Sequence, residues 1–171
     1  MAKVVMDIAE MRDFFQRMKE AGGDKFKNSA AEWLEGLGIE FLRIVEDEII
    51  RRQVVDTRLL LHSFTRGAPG NIFETTDGGL TIEVGTNIPY ANYVNDGHWT
   101  NSKGVSSRFV PGYWQGDRFI YDPGANTGMT LRQKWVEGKH YFESAVRIFE
   151  RMWPDLLEAK LQKWIDEYFG S

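Results

Sequence analysis

The stretch NIFETTDGGLTIEVGTN, residues 71–87, carries the clearest β-strand signal of this 171-residue chain. Its first six residues fit a strand, and the following Asp77-Gly78-Gly79 is typical of a hairpin turn. After the turn, apolar and polar side chains alternate, with Leu80, Ile82 and Val84 on one side. This alternation predicts a strand with one buried and one solvated face. The stretch therefore predicts a β-hairpin on which a small antiparallel sheet is built.

Helical periodicity precedes the hairpin. Residues 7–21 place apolar side chains at three- and four-residue steps, which predicts an amphipathic helix that Gly22-Gly23 ends. Residues 28–55 predict a longer helix, whose start Asn28 or Ser29 can cap.

Two glycines, Gly36 and Gly38, lie inside the longer predicted helix. Each costs roughly 1 kcal/mol of helix stability relative to alanine. They indicate close packing against another element, although a tolerated weakness explains them equally well.

The segment between the long helix and the hairpin predicts three short elements. Asp56 is a good N-cap for a single helical turn through residues 58–61. Residues 62–66 then fit a strand, and the sequence GAPG at residues 67–70 fits a turn.

After the hairpin, the sequence predicts a short helix, then an irregular segment, then a second helical region. Pro89 suits the first turn of a short helix that ends at Asp96-Gly97. Residues 97–138 are Gly-rich, polar and aromatic without clear periodicity, which predicts an irregular segment with one short strand at residues 119–121. From about Trp135 onwards the pattern is helical to the end of the chain, with Pro154 as a kink or as the start of a new helix.

These elements predict an α+β fold. A small antiparallel sheet built on the β-hairpin is packed by N-terminal and C-terminal helices, and a long irregular loop follows the sheet. The length fits a single domain, residues 1–171. Within it, residues 1–27 form an N-terminal helical extension and residues 98–138 an inserted loop or arm.

Composition excludes several classes of protein. The net charge of −4 and the pI of about 5.4 argue against non-specific binding to nucleic acid or anionic membranes. The chain contains no cysteine, which excludes disulfide scaffolds and cysteine-based metal sites. Its N-terminus reaches acidic residues too early for a signal peptide, and no apolar run approaches the roughly 20 residues of a membrane span.

The residue types used in catalysis do not occur in catalytic spacings. His62, His98 and His140 form neither an HxH nor an HExxH pattern, so no metal site is predicted. Asp96 and His98 could form an acid–histidine pair, but a turn residue beside a surface histidine is the favoured interpretation. Residues 46–48, EDE, point in different directions on a helix and are interpreted as a solvated face. The sequence predicts no catalytic residues and no cofactor.

The segment from Lys103 to Arg118 mixes basic and aromatic residues outside any predicted helix. This mixture occurs in sites that bind single-stranded nucleic acid. A protein-contact loop is favoured, because Trp, Tyr and Arg are the usual interface anchors. The candidate interface residues are Phe73 in the hairpin together with Arg108, Phe109, Tyr113, Trp114 and Arg118.

Three short motifs follow one another along the chain, and their order is more specific than any one of them. They are Val55-Asp56-Thr57 followed by Leu59 and Leu60, then Val84-Gly85-Thr86-Asn87, then Tyr90-Ala91-Asn92-Tyr93-Val94. With the C-terminal helix, this order resembles the minor tail-component family of long-tailed bacteriophages, the head–tail joining or tail-completion neck proteins. Two features depart from the family pattern: Arg58 stands where a glycine is usual, and residues 98–138 exceed the usual linker.

The resemblance implies a structural virion assembly protein of a tailed phage or prophage. Such a subunit forms a ring, of six copies by the symmetry of the tail, at the head-proximal end, where it completes or joins the tail. Its implied partners are further copies of itself, the tail tube protein and other neck proteins. It acts in the virion after assembly in the host bacterial cytoplasm, without membrane association and with only incidental DNA contact. The alternatives are a small hydrolase and a nucleic-acid-associated regulatory module of a prophage.

Overall fold

The computed structural model describes residues 2–6, 9–54 and 58–169, and the side chains of residues 23–54 and 58–167. The chain forms two compact units. We call residues Met1–Asn95 with Lys139–Ser171 the body, and residues Asp96–Gly138 the arm. That residues 1–171 form one domain, with residues 1–27 as an extension, stays a prediction.

The body contains the predicted hairpin in a three-stranded antiparallel sheet. Strand β1 spans Ala2–Met6, β2 spans Asn71–Thr76 and β3 spans Thr81–Thr86, in the order β1-β3-β2. The turn Asp77–Gly79 joins β2 to β3, which confirms the hairpin. Strand β1 was not predicted, because it pairs with β3, more than 70 residues away, and a local pattern does not reveal such pairing.

Helix α1, Ala9–Arg51, is interrupted at Gly23, where φ is 65° and ψ is −154°. The predicted break at Gly22-Gly23 is therefore confirmed. The predicted caps at Asn28 and Ser29 are wrong, because both residues lie inside the helix. Phe26, one turn earlier, is buried against Trp164 with ring centroids 4.9 Å apart, and this packing extends the helix towards the break.

Helix α2, Leu59–His62, confirms the single helical turn predicted through residues 58–61. The strand predicted at residues 62–66 is wrong, because His62 ends α2 and residues 63–66 form turns. Leu60 and Phe64 are both buried, and their four-residue spacing suits a helical turn that places both in the core. The predicted cap Asp56 and the motif at residues 55–57 lie outside the described residues.

Helix α3 spans Ala91–Asp96, as predicted within two residues, and helix α4 spans Tyr141–Phe169. Helix α4 continues through Pro154 and begins later than the predicted Trp135. Phe142 and Phe149 of α4 pack edge-on against Phe41 of α1, at centroid distances of 5.7 and 5.4 Å. The α+β fold with N- and C-terminal helices around a small sheet is confirmed.

Gly38 marks the closest approach of α1 to the sheet. A Cβ atom there would lie 2.5 Å from Ile82 Cδ1 and 3.1 Å from the Phe73 ring. The close packing proposed for this glycine is therefore confirmed. No such contact exists at Gly36, where a Cβ would meet nothing within 4 Å.

The arm is more ordered than the sequence predicted. It contains β4 (Gly97–Trp99), β5 (Ser107–Gln115), β6 (Arg118–Tyr121), β7 (Gly128–Arg132) and β8 (Trp135–Glu137). Strands β4 and β8 pair, and a separate antiparallel sheet has the order β6-β5-β7. The irregular segment predicted at residues 97–138 is therefore wrong, except for its short strand at residues 119–121, which β6 confirms. The arm strands have no fully buried face, so the alternation that identified the hairpin is missing.

Candidate protein interface

The motif Val84-Gly85-Thr86-Asn87 serves to hold the body together. Thr86 is fully buried, and its hydroxyl donates to Ser63 Oγ at 2.8 Å while accepting from the Ile88 backbone N–H at 3.2 Å. Ser63 Oγ in turn donates to the Leu60 carbonyl at 2.7 Å. The hydrogen bonds of Thr86 therefore join the end of β3 to α2, and the motif has a structural role.

The arm carries most of the exposed hydrophobic surface. Eight of the eleven large hydrophobic side chains that are exposed in the described residues belong to the arm. The buried hydrophobic side chains of the described residues all belong to the body. Exposed apolar side chains in this number make the arm a candidate contact site for another macromolecule. The eight exposed residues are Trp99, Val105, Phe109, Tyr113, Trp114, Tyr121, Trp135 and Val136.

The sheet of β5, β6 and β7, here called the arm sheet, exposes aromatic side chains on both faces. Alternation along β5 places Phe109 and Tyr113 on one face, at 58% and 49% exposure. The other face carries Trp114, and also Tyr121, which pairs with Gly112 of β5; they are 59% and 63% exposed. Neither face of the arm sheet is thus closed by its own unit.

Two aromatic rings lie directly over glycines of the neighbouring strand, in the space that a Cβ atom would occupy. A Cβ at Gly112 would lie 2.7 Å from Phe119 Cζ, and a Cβ at Gly128 would lie 2.5 Å from Phe109 Cζ. Trp114 packs edge-on against Phe119 at a centroid distance of 5.4 Å. These contacts restrict the Phe109 and Trp114 rings while both stay exposed, as anchors of an interface would require.

The strands of the arm sheet and the strands of the hairpin carry opposite charge, although Asp117 and Asp122 flank β6. The strands of the arm sheet contain Arg108, Arg118 and Arg132, all exposed, and no acidic residue. Strands β2 and β3 contain Glu74 and Glu83 and no basic residue. Lys3 lies on β1, at the far side of β3.

The body fixes both chain ends from which the arm begins and to which it returns. The backbone N–H of Lys139 donates to the Val94 carbonyl, and that of His140 to the Asn95 carbonyl, both at 2.9 Å. The buried Asn95 side chain accepts from the Phe142 backbone N–H at 3.0 Å and donates to Glu143 Oε1 at 2.7 Å. Asn95 thereby caps the start of α4.

Glu48 secures the same region from α1. Its carboxylate accepts hydrogen bonds from Arg51 at 2.6 and 2.7 Å and from Arg52 at 3.0 Å. Arg52 also donates to the Lys139 carbonyl at 2.7 Å. The bonds from Arg51 first, then those from Ser144 and Arg52, lower the pKa of Glu48 to about 2 against the opposing effect of burial. The solvated face predicted for residues 46–48 is therefore wrong for Glu48, which is 4% exposed.

The structure brings five of the six candidate interface residues together. Arg108, Phe109, Tyr113 and Trp114 lie on β5 and Arg118 on the adjacent β6, all exposed. Phe73 lies in the body, half-buried against Gly38, with the Arg66 guanidinium 4.6 Å from its ring centroid. Tyr121 was missed, although an aromatic residue in a strand outside the core was a usable signal. Their role in an interface stays a prediction.

The histidines lie on separate elements. His62 ends α2, His98 lies in β4, and His140 Nδ1 lies 4.0 Å from Glu143 Oε2. Within the part of the chain that the structure describes, no three His, Asp or Glu side chains are grouped closely enough to hold a metal ion. Among the same residues, no helix has the length and apolar character needed to cross a membrane.

Comparison with known proteins reveals one family and two close relatives. The family described as "Bacteriophage HK97-gp10, putative tail-component" matches residues 9–97, a range that ends where the arm begins. "Uncharacterized protein YqbI" of Bacillus subtilis (strain 168) is 48% identical over 96% of this chain and 100% of its own length. "Phage-like element PBSX protein XkdI" of the same organism is 45% identical over 94% of this chain and 98% of its own length. No solved structure matches the chain significantly.

Proposed function

The chain belongs to the HK97-gp10-like family of phage tail components, structural proteins and not enzymes, and from this premise we propose that it forms a ring that completes the tail. As a tail component it is part of the virion. The proposed ring contains six copies, lies at the head-proximal end of the tail, and contacts the tail tube protein and other neck proteins. It assembles in the host bacterial cytoplasm.

The observation that best supports this function is the exposed aromatic surface of the arm. No hydrophobic side chain of the arm is fully buried, and both faces of the arm sheet expose aromatic rings. Such a unit gains stability when other subunits cover it. The family match ends at residue 97, whereas the two relatives align over at least 94% of the chain. This supports the arm as the feature that adapts this subunit to its own tail.

A ring supports this function by simple geometry. Identical subunits that join head to tail form a closed ring when the rotation between neighbours closes. In the proposed ring, one axial face binds the end of the tube, and growth stops because the other axial face does not bind a further tube subunit. Phe73, Arg108, Phe109, Tyr113, Trp114 and Arg118 are the proposed contact residues.

Deleting residues 100–118 tests the role of the arm. We expect the variant chain to fold but to be absent from particles, and the tails to remain unjoined or to vary in length under the electron microscope. Near-normal circular dichroism would verify folding of the body. Infectious tails at the wild-type frequency would refute an essential arm.

Antibody labelling tests the position of the chain. An antibody against an epitope tag on the chain should mark the head-proximal end of isolated tails, and quantitative mass spectrometry should return six copies per tail. Label at the distal tip would overturn the proposed position, and a copy number unrelated to six would overturn the ring.

One observation favours a second candidate, a contact with single-stranded nucleic acid. The arm combines exposed arginines with exposed aromatic rings, the pairing that single-strand binding uses. Its five basic and four acidic residues leave only a weak positive charge. Fluorescence anisotropy with a labelled oligonucleotide should detect salt-dependent binding if this function exists. A lack of binding at low salt would exclude this second function.

A further inference from the structure

We propose that strand β6 of one copy adds antiparallel to the outer edge of β2 in the next copy, with Arg118 opposite Glu74. The contact joins the arm of one copy to the body of its neighbour. This inference rests on the self-association proposed above and specifies the surfaces that carry it.

Both strands have an open edge. Strand β2 is an outer strand of the β1-β3-β2 sheet, and β6 is an outer strand of the arm sheet. Within the described residues, each pairs with one neighbour only, β3 for β2 and β5 for β6. An open edge presents unpaired backbone N–H and C=O groups in strand geometry, which is the requirement for strand addition.

The two edges offer one complementary charged pair, Arg118 of β6 and Glu74 of β2, while Asp117 and Asp122 flank β6. Glu74 is exposed on β2. The hairpin, residues 71–87, contains no Lys or Arg. On β6, Arg118 is exposed, and its guanidinium suits paired recognition of a carboxylate. A neighbour that places Arg118 beside Glu74 therefore forms an ion pair with it.

The apolar residues select the direction of pairing. Ile72 and Glu74 share one face of β2, and Arg118 and Ile120 share one face of β6, each pair two residues apart. In an antiparallel register that sets Glu74 opposite Arg118, Ile72 falls opposite Ile120. A parallel register from the same ion pair would set Thr76 opposite Ile120. The antiparallel register thus satisfies both the charged and the apolar pair.

A second copy of the chain is the occupant that these features favour. Glu74 and Arg118 both belong to this chain, on edge strands of different sheets. A contact between two different surfaces of identical subunits repeats from copy to copy, which is the condition for a ring. Other tail proteins as occupants remain outcomes of the test.

Cysteine cross-linking tests the pairing, because the natural chain contains no cysteine. Tails are prepared from cells that produce the complete set of phage structural proteins, with the chain carrying Glu74→Cys and Arg118→Cys together. Mild oxidation should give a ladder of cross-linked multimers on non-reducing gels. Either single variant should give none, and Glu74→Cys with Arg132→Cys, on the other edge of the arm sheet, is the matched control. A ladder from the control as strong as from the test pair would overturn the register.

Charge exchange provides a second readout. Glu74→Arg and Arg118→Glu should each reduce incorporation of the chain into particles, and the double exchange should restore it. A defect in Arg118→Glu that Glu74→Arg does not relieve would assign Arg118 to another tail protein and refute the pairing. Multiple copies in particles without ladder or rescue would refute this inference alone. Absence of the wild-type chain from particles would refute the proposed function and this inference with it.

Discussion

At the scale of single residues, Glu48 is the one described carboxylate whose pKa is clearly displaced. Its pKa falls from 4.5 to about 2 in the folded protein, chiefly through the hydrogen bonds from Arg51. A lowered pKa means that the ionised group stabilises the fold above pH 4.5, and that this stabilisation disappears as the pH falls towards 2.

We expect Glu48→Gln to lower the free energy of unfolding at pH 7 by about 1–3 kcal/mol, because the amide loses the charged hydrogen bonds. Urea unfolding of both proteins between pH 7 and pH 2 measures the difference, which should shrink as the pH drops. Asp47→Asn, on the exposed neighbour in the same helical turn, is the control and should change little. A pH-independent difference would contradict the proposed role of the carboxylate.

The two glycines of α1 give a matched pair of substitutions. Gly38→Ala should destabilise the protein by roughly 1–3 kcal/mol, because the new Cβ overlaps the Ile82 side chain. Gly36→Ala should stabilise it by roughly 0.5–1 kcal/mol, because alanine favours the helix and meets no neighbour. Thermal unfolding of both variants measures the effects, and equal shifts of one sign would show that helix propensity alone decides them.

The sequence could identify Gly36 and Gly38 as unusual residues inside a helix, but it could not show which of them packs against another element. Gly36 and Gly38 have the same local pattern, and only the tertiary contact with Ile82 separates them. Glu48 shows the same limit in milder form. Arg51 and Arg52, three and four residues after Glu48, predict ion pairs along the helix. The burial of Glu48, in contrast, depends on distant chain segments.

At the scale of elements, α4 depends on a cap from outside its own sequence. Asn95→Ala removes the bonds to the Phe142 N–H and to Glu143. We expect a loss of about 1–2 kcal/mol of stability, similar to that of other removed helix caps. Chemical denaturation measures it, with Asn92→Ala in the same short helix as the control. A loss as large in the control would assign the effect to α3 instead of the cap.

The hairpin and the arm sheet show which elements a sequence reveals. The hairpin has a turn of two glycines and one buried face, so Ile82 and Val84 recur at every second position. In the arm sheet, β5 carries Phe109 and Trp114 on opposite faces, and neither is buried. Its apolar residues therefore follow no two-residue period. The start of α4 was misplaced for a related reason, because a distant asparagine sets it.

At the scale of the whole molecule, the body holds a complete core without the arm. Its buried cluster extends over α1, α2, β3, α3 and α4, and hydrogen bonds already join residues 94 and 95 to residues 139 and 140. The α+β class and the family could be predicted, because ordered motifs and helix periodicity are local. Residue type alone selected the five candidates in the arm sheet, whose role stays a prediction, and their arrangement on two faces required the register.

Replacing residues 97–137 by a short glycine linker tests the independence of the body. We expect a folded protein whose melting temperature lies within about 5 °C of the wild type, since no buried hydrophobic side chain of the described residues is removed. Calorimetry measures it, and the intact chain is the reference. A loss of cooperative unfolding would show that the body needs the arm in order to fold.

The exposed arm also gives the protein an optical property. Three of its six tryptophans, Trp99, Trp114 and Trp135, are exposed in the arm, whereas Trp164 is buried in the body. Indole emission shifts to shorter wavelength when water is excluded from the ring. Association through the arm should therefore shift the intrinsic fluorescence to the blue without any added label, so the natural chain can report its own incorporation in real time.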